Sequence, residues 1–457
     1  MANHGMIVGL DVGTNTVKVL AADVRDQQAN IIAVGRSVSH GVNKGVVVDI
    51  DSTANDIRQA VAQVNEQANE AVTDVIALLP AKDIQMSHVE GTVTVEESQH
   101  ISYHDVAAVV QESLKGQVSH DREVIEMLPE EFIVDDFDGI QDPNDMVGMR
   151  LGMRATVYTA PRNLVRNLRM AIEKAGLNVR DMVLTPVAEG KTILSDAEQE
   201  FGTILLDMGA GQTTATVIQD RMTKFITTFP AGGDNITRDI STVLSIGGYD
   251  ADMLKLDAGV ALVDHANGEN QVMIQKVGED EPERISEKHL AEIVEARTMQ
   301  ILTKLQEPLA EADALSVPGG VTLIGGTATL RGMPDAVSAV FDMKAREFAP
   351  DDIGLRHPGM SGVWAVVQYA ALQTPVQLIV KQALYGLPLY VVGKPQLGAP
   401  FKAEKKAFFE PKQETRTTRP AIERETIIED DEIDTNNQIE DEKKSARAVN
   451  FLKDFFD

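Results

Sequence analysis

The 457-residue sequence contains no cysteine. Disulfides, thiolate chemistry and Cys-based zinc sites are therefore excluded. Aromatic residues are scarce, at 4% against 43% hydrophobic residues overall, so the cores must be built from Val, Ile, Leu and Ala. That mix is common in α/β proteins with buried strands. Bases are outnumbered by acids, 42 to 70, which leaves a formal charge of −28. The deficit argues against a nucleic-acid partner, which needs clustered Lys and Arg around phosphate. It argues equally against attraction of the whole surface to anionic lipid, so any membrane contact must be local. No apolar run reaches the ~18 residues of a membrane-spanning helix. Met1 to Gly13 has no basic segment followed by a long apolar one, so no signal peptide is expected and the default compartment is the cytoplasm. The nine histidines form no close metal-ligand cluster.

What remains is long enough for two or more domains. Met6 to Leu10 is a short apolar run. Val17, Val19 and Ala21 alternate beyond a Gly-Thr-Asn-Thr turn, and Asn30 to Val38 gives a third strand. From Thr53, apolar residues recur at helical spacing. Lys82 to Ala160 reads as an inserted subdomain, with strands over Ser87 to Val95 and Glu123 to Val134 and a helix from about His104. Asn163 to Ala175 predicts a helix closed by Gly176. A second half begins near Gly202, with strands Thr203 to Asp207, Thr213 to Gln219 and Met222 to Phe229, a long helix from about Ser286, and a strand at Val321 to Ile324. Val363 to Leu372 is expected to be the last core helix.

The most informative feature is an internal repeat. Asp11-Val12-Gly13-Thr14-Asn15-Thr16 lies between two strand patterns, with Lys18 just beyond. Asp207-Met208-Gly209-Ala210-Gly211-Gln212-Thr213 repeats the plan ~195 residues later. Glycine in each turn lets backbone N–H groups approach phosphate oxygens and point at them together. Asp11 and Asp207, at the strand ends, are placed to hold Mg²⁺ through water. Two such hairpins would grip a polyphosphate from both sides. Three further segments suit an adenosine site. Val321 to Ile324 runs into the turn Gly325-Gly326-Thr327-Ala328. Gly232-Gly233-Asp234-Asn235 precedes a helix whose N-terminus faces phosphate. Asp252 and Lys255 lie three apart on a helix.

With these motifs the chain resembles the actin, DnaK-type chaperone and sugar-kinase superfamily, and within it the FtsA family. The resemblance runs from Met6 to the C-terminus. Its most specific parts are the Gly35 to Gly45 stretch, the insertion at Lys82 to Ala160 and the terminal segment. It implies an α/β, actin/DnaK-type ATPase fold of duplicated ribonuclease-H-like domains. Residues 1–81, 161–200 and 361–393 would form the first core domain and 82–160 an inserted subdomain. Residues 201–235 and 310–360 would form the second core domain, and 236–309 a subdomain over the nucleotide. By the same resemblance the chain binds ATP and Mg²⁺, polymerises, and recruits division proteins at the septum. It would meet the C-terminal tail of FtsZ on the 236–309 subdomain, where Glu295 and Arg297 match a charged stretch. Two departures stand out. Ala210 interrupts the run of three glycines found in many relatives, and Thr185 stands where MreB and DnaK carry a Glu that orients the attacking water. Glu189 is a helical turn further on. ATP binding with weak or no hydrolysis is the expectation.

Residues 394–442 read as a disordered acidic linker, because so polar a tract cannot bury enough surface to offset its ordering entropy. Residues 443–457 turn periodic again. Ala448, Phe451, Leu452, Phe455 and Phe456 share one helical face, flanked by Lys443, Lys444, Arg447 and Lys453. Burying the four large side chains gives roughly 1.5–3 kcal/mol each as an upper bound, and each base near anionic lipid adds about 1 kcal/mol. The net is a reversible interfacial anchor that gains from avidity in a polymer. Membrane targeting by such a helix also belongs to the FtsA resemblance. The alternatives are a pilus-assembly-type actin-like ATPase and a small-molecule kinase. A kinase would need a carboxylate base such as Asp135, Asp136, Asp138 or Asp142, an acidic run that reads more simply as a solvated face.

Overall fold

A computed structural model describes residues 5–95 and 100–386. The linker and the amphipathic helix with Phe451, Leu452, Phe455 and Phe456 lie outside the described residues.

Strand-forming residues of the first half build a five-stranded mixed sheet. Gly5–Val12, Thr16–Arg25 and Gln28–Val38 form an antiparallel meander, and Asp74–Leu79 and Asn178–Leu184 add in parallel beside the first strand. The second half repeats this order. Thr203–Met208, Thr213–Gln219 and Met222–Phe229 form the meander, and Val321–Ile324 and Ala345–Glu347 the parallel extension. The repeat legible in two short turns thus extends to whole half-molecules. The cores are aliphatic, as the scarcity of aromatics requires. Leu10, Val19, Ile57, Leu79 and Val366 pack in the first, and Leu206, Ile240, Val294, Leu302 and Leu323 in the second. The 236–309 segment has no core of its own. Ile236, Ile240, Leu290 and Ile301 share the cluster that holds Leu206 and Leu323.

The Gly35 to Gly45 stretch owes its glycines to packing. A Cβ on Gly35 would lie 2.0 Å from the Ala60 carbonyl oxygen, and one on Gly41 2.2 Å from Thr53 Oγ1. The third strand and the following loop therefore press directly on the helix Ile50–Ala68. Asp56 fixes the contact by accepting from the His40 backbone N–H at 2.7 Å.

The insertion interrupts the first half between its strands Asp74–Leu79 and Asn178–Leu184 and forms a four-stranded sheet in the order Gln85–Thr94, Arg150–Pro161, Arg122–Val134, Phe137–Ile140, covered by the helix Tyr103–Ser113. Its central strand, Arg150–Pro161, was absent from the sequence reading, because Gly152 and Arg154 interrupt the apolar pattern.

The expectation that Val363 to Leu372 is the last core helix is incorrect. The helix Ser361–Leu372 is followed by another, Pro375–Leu384. Its start carries a signal that was there to read: Thr374 and Gln377 form a capping box and Pro375 fills the first turn. Val376, Ile379, Val380 and Ala383 pack into the core of the insertion, not that of the first domain. The helix is also fastened by charge. Lys381 Nζ reaches Asp181 Oδ2 at 2.6 Å and Glu126 Oε1 at 3.3 Å, and Tyr385 donates to Asp181 Oδ1 at 3.0 Å. Glu126 is fully buried, and burial pushes its carboxyl up to about 7 even though Lys381 pulls the other way. Removing one member of a buried ion cluster leaves the others uncompensated, which costs about 3–5 kcal/mol. Lys381→Met is expected to lose that much stability in urea unfolding. Glu126→Met added to it should recover part of the loss. An unchanged urea midpoint for Lys381→Met would contradict a structural role for the cluster.

Candidate functional site

The two Asp-x-Gly turns have the same hydrogen-bond geometry. Gly13 N–H donates to the Thr16 carbonyl at 3.0 Å, and Gly209 N–H donates to the Gln212 carbonyl at 3.0 Å. A Cβ would come within 2.9 Å of that oxygen at Gly13 and 3.0 Å at Gly209. Both turns open onto one cavity of about 750 Å³ between the two halves. That size is ample for a nucleotide-sized ligand.

Across the cleft the turns nearly touch. Asn15 Nδ2 donates to Asp234 Oδ1 at 2.6 Å, and Gly211 packs against Thr14 and Lys44, which the Gly45 N–H holds together by donating to Thr14 Oγ1 at 3.1 Å. The Gly232-Gly233 backbone lies on the second turn, with Gly233 N–H donating to the Gly209 carbonyl at 3.1 Å. Gly325 approaches as closely from the other side. Its φ is +89°, and a Cβ there would meet Asp207 Oδ1 at 2.5 Å, so only glycine fits. Thr327 Oγ1 then ties this turn to the Gly209 carbonyl at 2.9 Å. Lys255 is buried and donates to Asp252 Oδ1 and Thr237 Oγ1, both at 2.7 Å, and to the Gly233 carbonyl at 3.2 Å. Burial raises the Asp252 carboxyl, but the bonds from Lys255 and Thr237 outweigh it and hold it below the usual range.

Most residues singled out in the sequence line this cavity. Four do not. Thr213 faces away and donates to the Ala231 carbonyl, Gly232 packs beneath the second turn, Asn235 accepts from Gly232 N–H to cap its own helix, and Ala328 is wholly buried. Conversely, Arg36, Thr214, Glu189, Tyr249 and His357 line the cavity without having been singled out as binding residues. Asp135, Asp136, Asp138 and Asp142 lie outside it, and Asp135 accepts from the Met149 and Arg150 N–H groups at a hairpin turn.

The floor of the cleft is acidic. Asp11 pairs with Lys18 at 2.8 Å. Burial raises Asp207 to about 6, with Asp11 adding repulsion. Glu189 is only 3% exposed, and burial, then Asp207 and Asp11, push its carboxyl well above the usual range. Asp11, Asp207 and Glu189 bear on one another here, and a divalent cation among them would draw the raised carboxyls of Asp207 and Glu189 back toward ionisation. Among the described residues no three His, Asp or Glu side chains converge closely enough to ligate a metal directly. The donor set thus fits a magnesium ion held through its water shell. Thr185 donates its hydroxyl to the Leu79 carbonyl at 3.0 Å, so it offers the cleft no base.

Glu295 and Arg297 are also committed internally. Glu295 accepts from the Val263 N–H, and Arg297 forks onto Asp239, with Nη2 to Oδ1 at 2.8 Å. Both side chains are thus engaged within the protein.

Comparison with known proteins agrees with this architecture. Residues 204–365 match the family model "Cell division protein FtsA", and residues 81–159 match "SHS2 domain inserted in FTSA". The chain is 41% identical to the cell division protein FtsA of Enterococcus faecalis over 84% of its own length and 88% of that protein's. To that of Bacillus subtilis it is 33% identical over 82% and 86%. Against that of Escherichia coli the figures are 28% over 76% and 85%. Among solved structures, the PilM-PilN type IV pilus biogenesis complex aligns with a TM-score of 0.57 at 13% identity, covering 80% of this chain and 99% of that one, a likeness of fold alone.

Proposed function

The chain belongs to the FtsA family of cell division proteins, and we propose that it binds ATP with Mg²⁺ in the cleft between its two halves, turns it over slowly, and acts as a scaffold rather than as a metabolic enzyme. The observation that carries this reading is the pair of Asp-x-Gly turns with identical hydrogen bonding that face each other across one cavity. Magnesium, when present, neutralises the phosphates. The chain's own work is to present the turn N–H groups to the phosphates, to hold water through Asp11 and Asp207, and to accept the adenosine beside Gly325, Gly326 and Lys255. Isothermal titration should give one ATP per chain in the presence of Mg²⁺. Absence of binding at millimolar ATP would sink the reading.

The scaffold role extends to assembly. Copies of the chain polymerise in an actin-like manner, the terminal helix attaches the polymer to anionic lipid on the cytoplasmic face of the membrane at the septum, and other division proteins join it there. The FtsZ tail docks on the 236–309 subdomain. Arg297→Glu is expected to weaken binding of an FtsZ-tail peptide about tenfold, or about 1.4 kcal/mol, with ATP affinity unchanged. The substitution also sets a carboxylate against Asp239, so the peptide titration is paired with urea unfolding. Weaker tail binding at unchanged stability supports a direct contact. Unchanged affinity removes Glu295 and Arg297 from the docking site.

A further inference from the structure

Thr185 offers the cleft no carboxylate, yet one is present a helical turn on. Glu189 lies on the helix Thr185–Thr192, is 3% exposed, and lines the cavity. Among the described residues its carboxylate accepts no hydrogen bond. Its oxygens open onto the cavity, so water or a ligand there is what can donate to them.

Its surroundings say what that would be. Gly362, at the start of the helix Ser361–Leu372, leaves a gap where a Cβ would lie 3.4 Å from Glu189 Oε1 and 3.7 Å from Asp11 Oδ2. The two carboxylates therefore face the same small space, and Asp207 acts on Glu189 from the other half of the molecule. Lys18 is the one cation that bears on all three, and it is already spent on Asp11 at 2.8 Å. A side chain at 362 would take up part of this space, which glycine leaves free.

We propose that Glu189 is a positioning residue that accepts hydrogen bonds from the water shell of the nucleotide's magnesium, as the third carboxylate of a set with Asp11 and Asp207. The inference rests on the ATP–Mg²⁺ reading and deepens it. Glu189 supplies, from one turn further along the helix, the carboxyl that Thr185 lacks, and magnesium close by would favour its ionised form. A neutral amide in its place keeps the volume but cannot accept from two waters with full negative charge.

The test uses the full chain as wild type, Glu189→Gln and Glu189→Asp, with a fluorescent non-hydrolysable ATP analogue titrated at magnesium concentrations from zero (EDTA) to millimolar. Wild type binds in a magnesium-dependent way. Glu189→Gln should shift the magnesium midpoint upward at least tenfold while its affinity in EDTA stays within twofold of wild type. Glu189→Asp, which keeps the charge, should recover part of the shift. A side chain that merely fills space would give Glu189→Gln the wild-type magnesium midpoint, and that result overturns the proposal. Should wild type bind the analogue without regard to magnesium, the ATP–Mg²⁺ reading falls and the inference with it, an outcome the wild-type arm distinguishes by itself.

Discussion

Gly13→Val and Gly209→Val together are expected to reduce affinity for a fluorescent ATP analogue at least 100-fold, or about 2.8 kcal/mol. The reason lies in the turns themselves. Even a single methyl group would stand 2.9 Å from the Thr16 carbonyl oxygen at Gly13 and 3.0 Å from that of Gln212 at Gly209. Valine adds two further carbons on the cavity side. The N–H groups that would point at phosphate are then displaced or covered. Each substitution on its own should also weaken binding, because the polyphosphate then keeps only one of its two grips. Circular dichroism and urea unfolding separate lost binding from lost folding. Wild-type affinity in the double variant would remove the phosphate assignment of both turns.

The second large effect concerns the last fifteen residues of the chain. Truncation after Glu442, or Phe455→Glu alone, is expected to abolish co-sedimentation with anionic vesicles, with nucleotide affinity and the melting temperature of the folded part unchanged. The apolar face of Phe451, Leu452, Phe455 and Phe456 supplies roughly 1.5–3 kcal/mol per side chain as an upper bound. A carboxylate in its middle opposes both burial and the anionic surface. Lys443→Glu with Lys444→Glu should weaken vesicle binding chiefly at low salt, where screening is least. If Phe455→Glu lowered the melting temperature and truncation left vesicle binding intact, the helix would belong to the protein's own core.

Much of the fold could be read from the sequence because its signals are local. Strand runs, the two Asp-x-Gly turns and the Gly325-Gly326 turn each sit within a few residues, and the duplicated turn predicted a duplicated domain, which the matching strand orders bear out. What escaped depends on which way a side chain points or on partners far along the chain. Thr213 and Thr214 are neighbours on one strand. The period of two sends Thr214 into the cavity and Thr213 to the Ala231 carbonyl, and a motif cannot tell them apart. Glu189 gains its meaning from Gly362, far along the chain. Arg297 finds Asp239 on another helix, a partner that no local pattern around residue 297 reveals. The helix Pro375–Leu384 is the exception, since its capping box, Thr374 to Gln377, is a local signal.

The central claim is that one ATP is gripped by both halves at once. Hydrogen exchange with and without ATP–Mg²⁺ tests it most directly, because it reports each backbone amide separately. The account predicts joint protection of residues 12–16, 208–213 and 325–327 on adding nucleotide. Protection confined to one half, or none at saturating ATP, would contradict it.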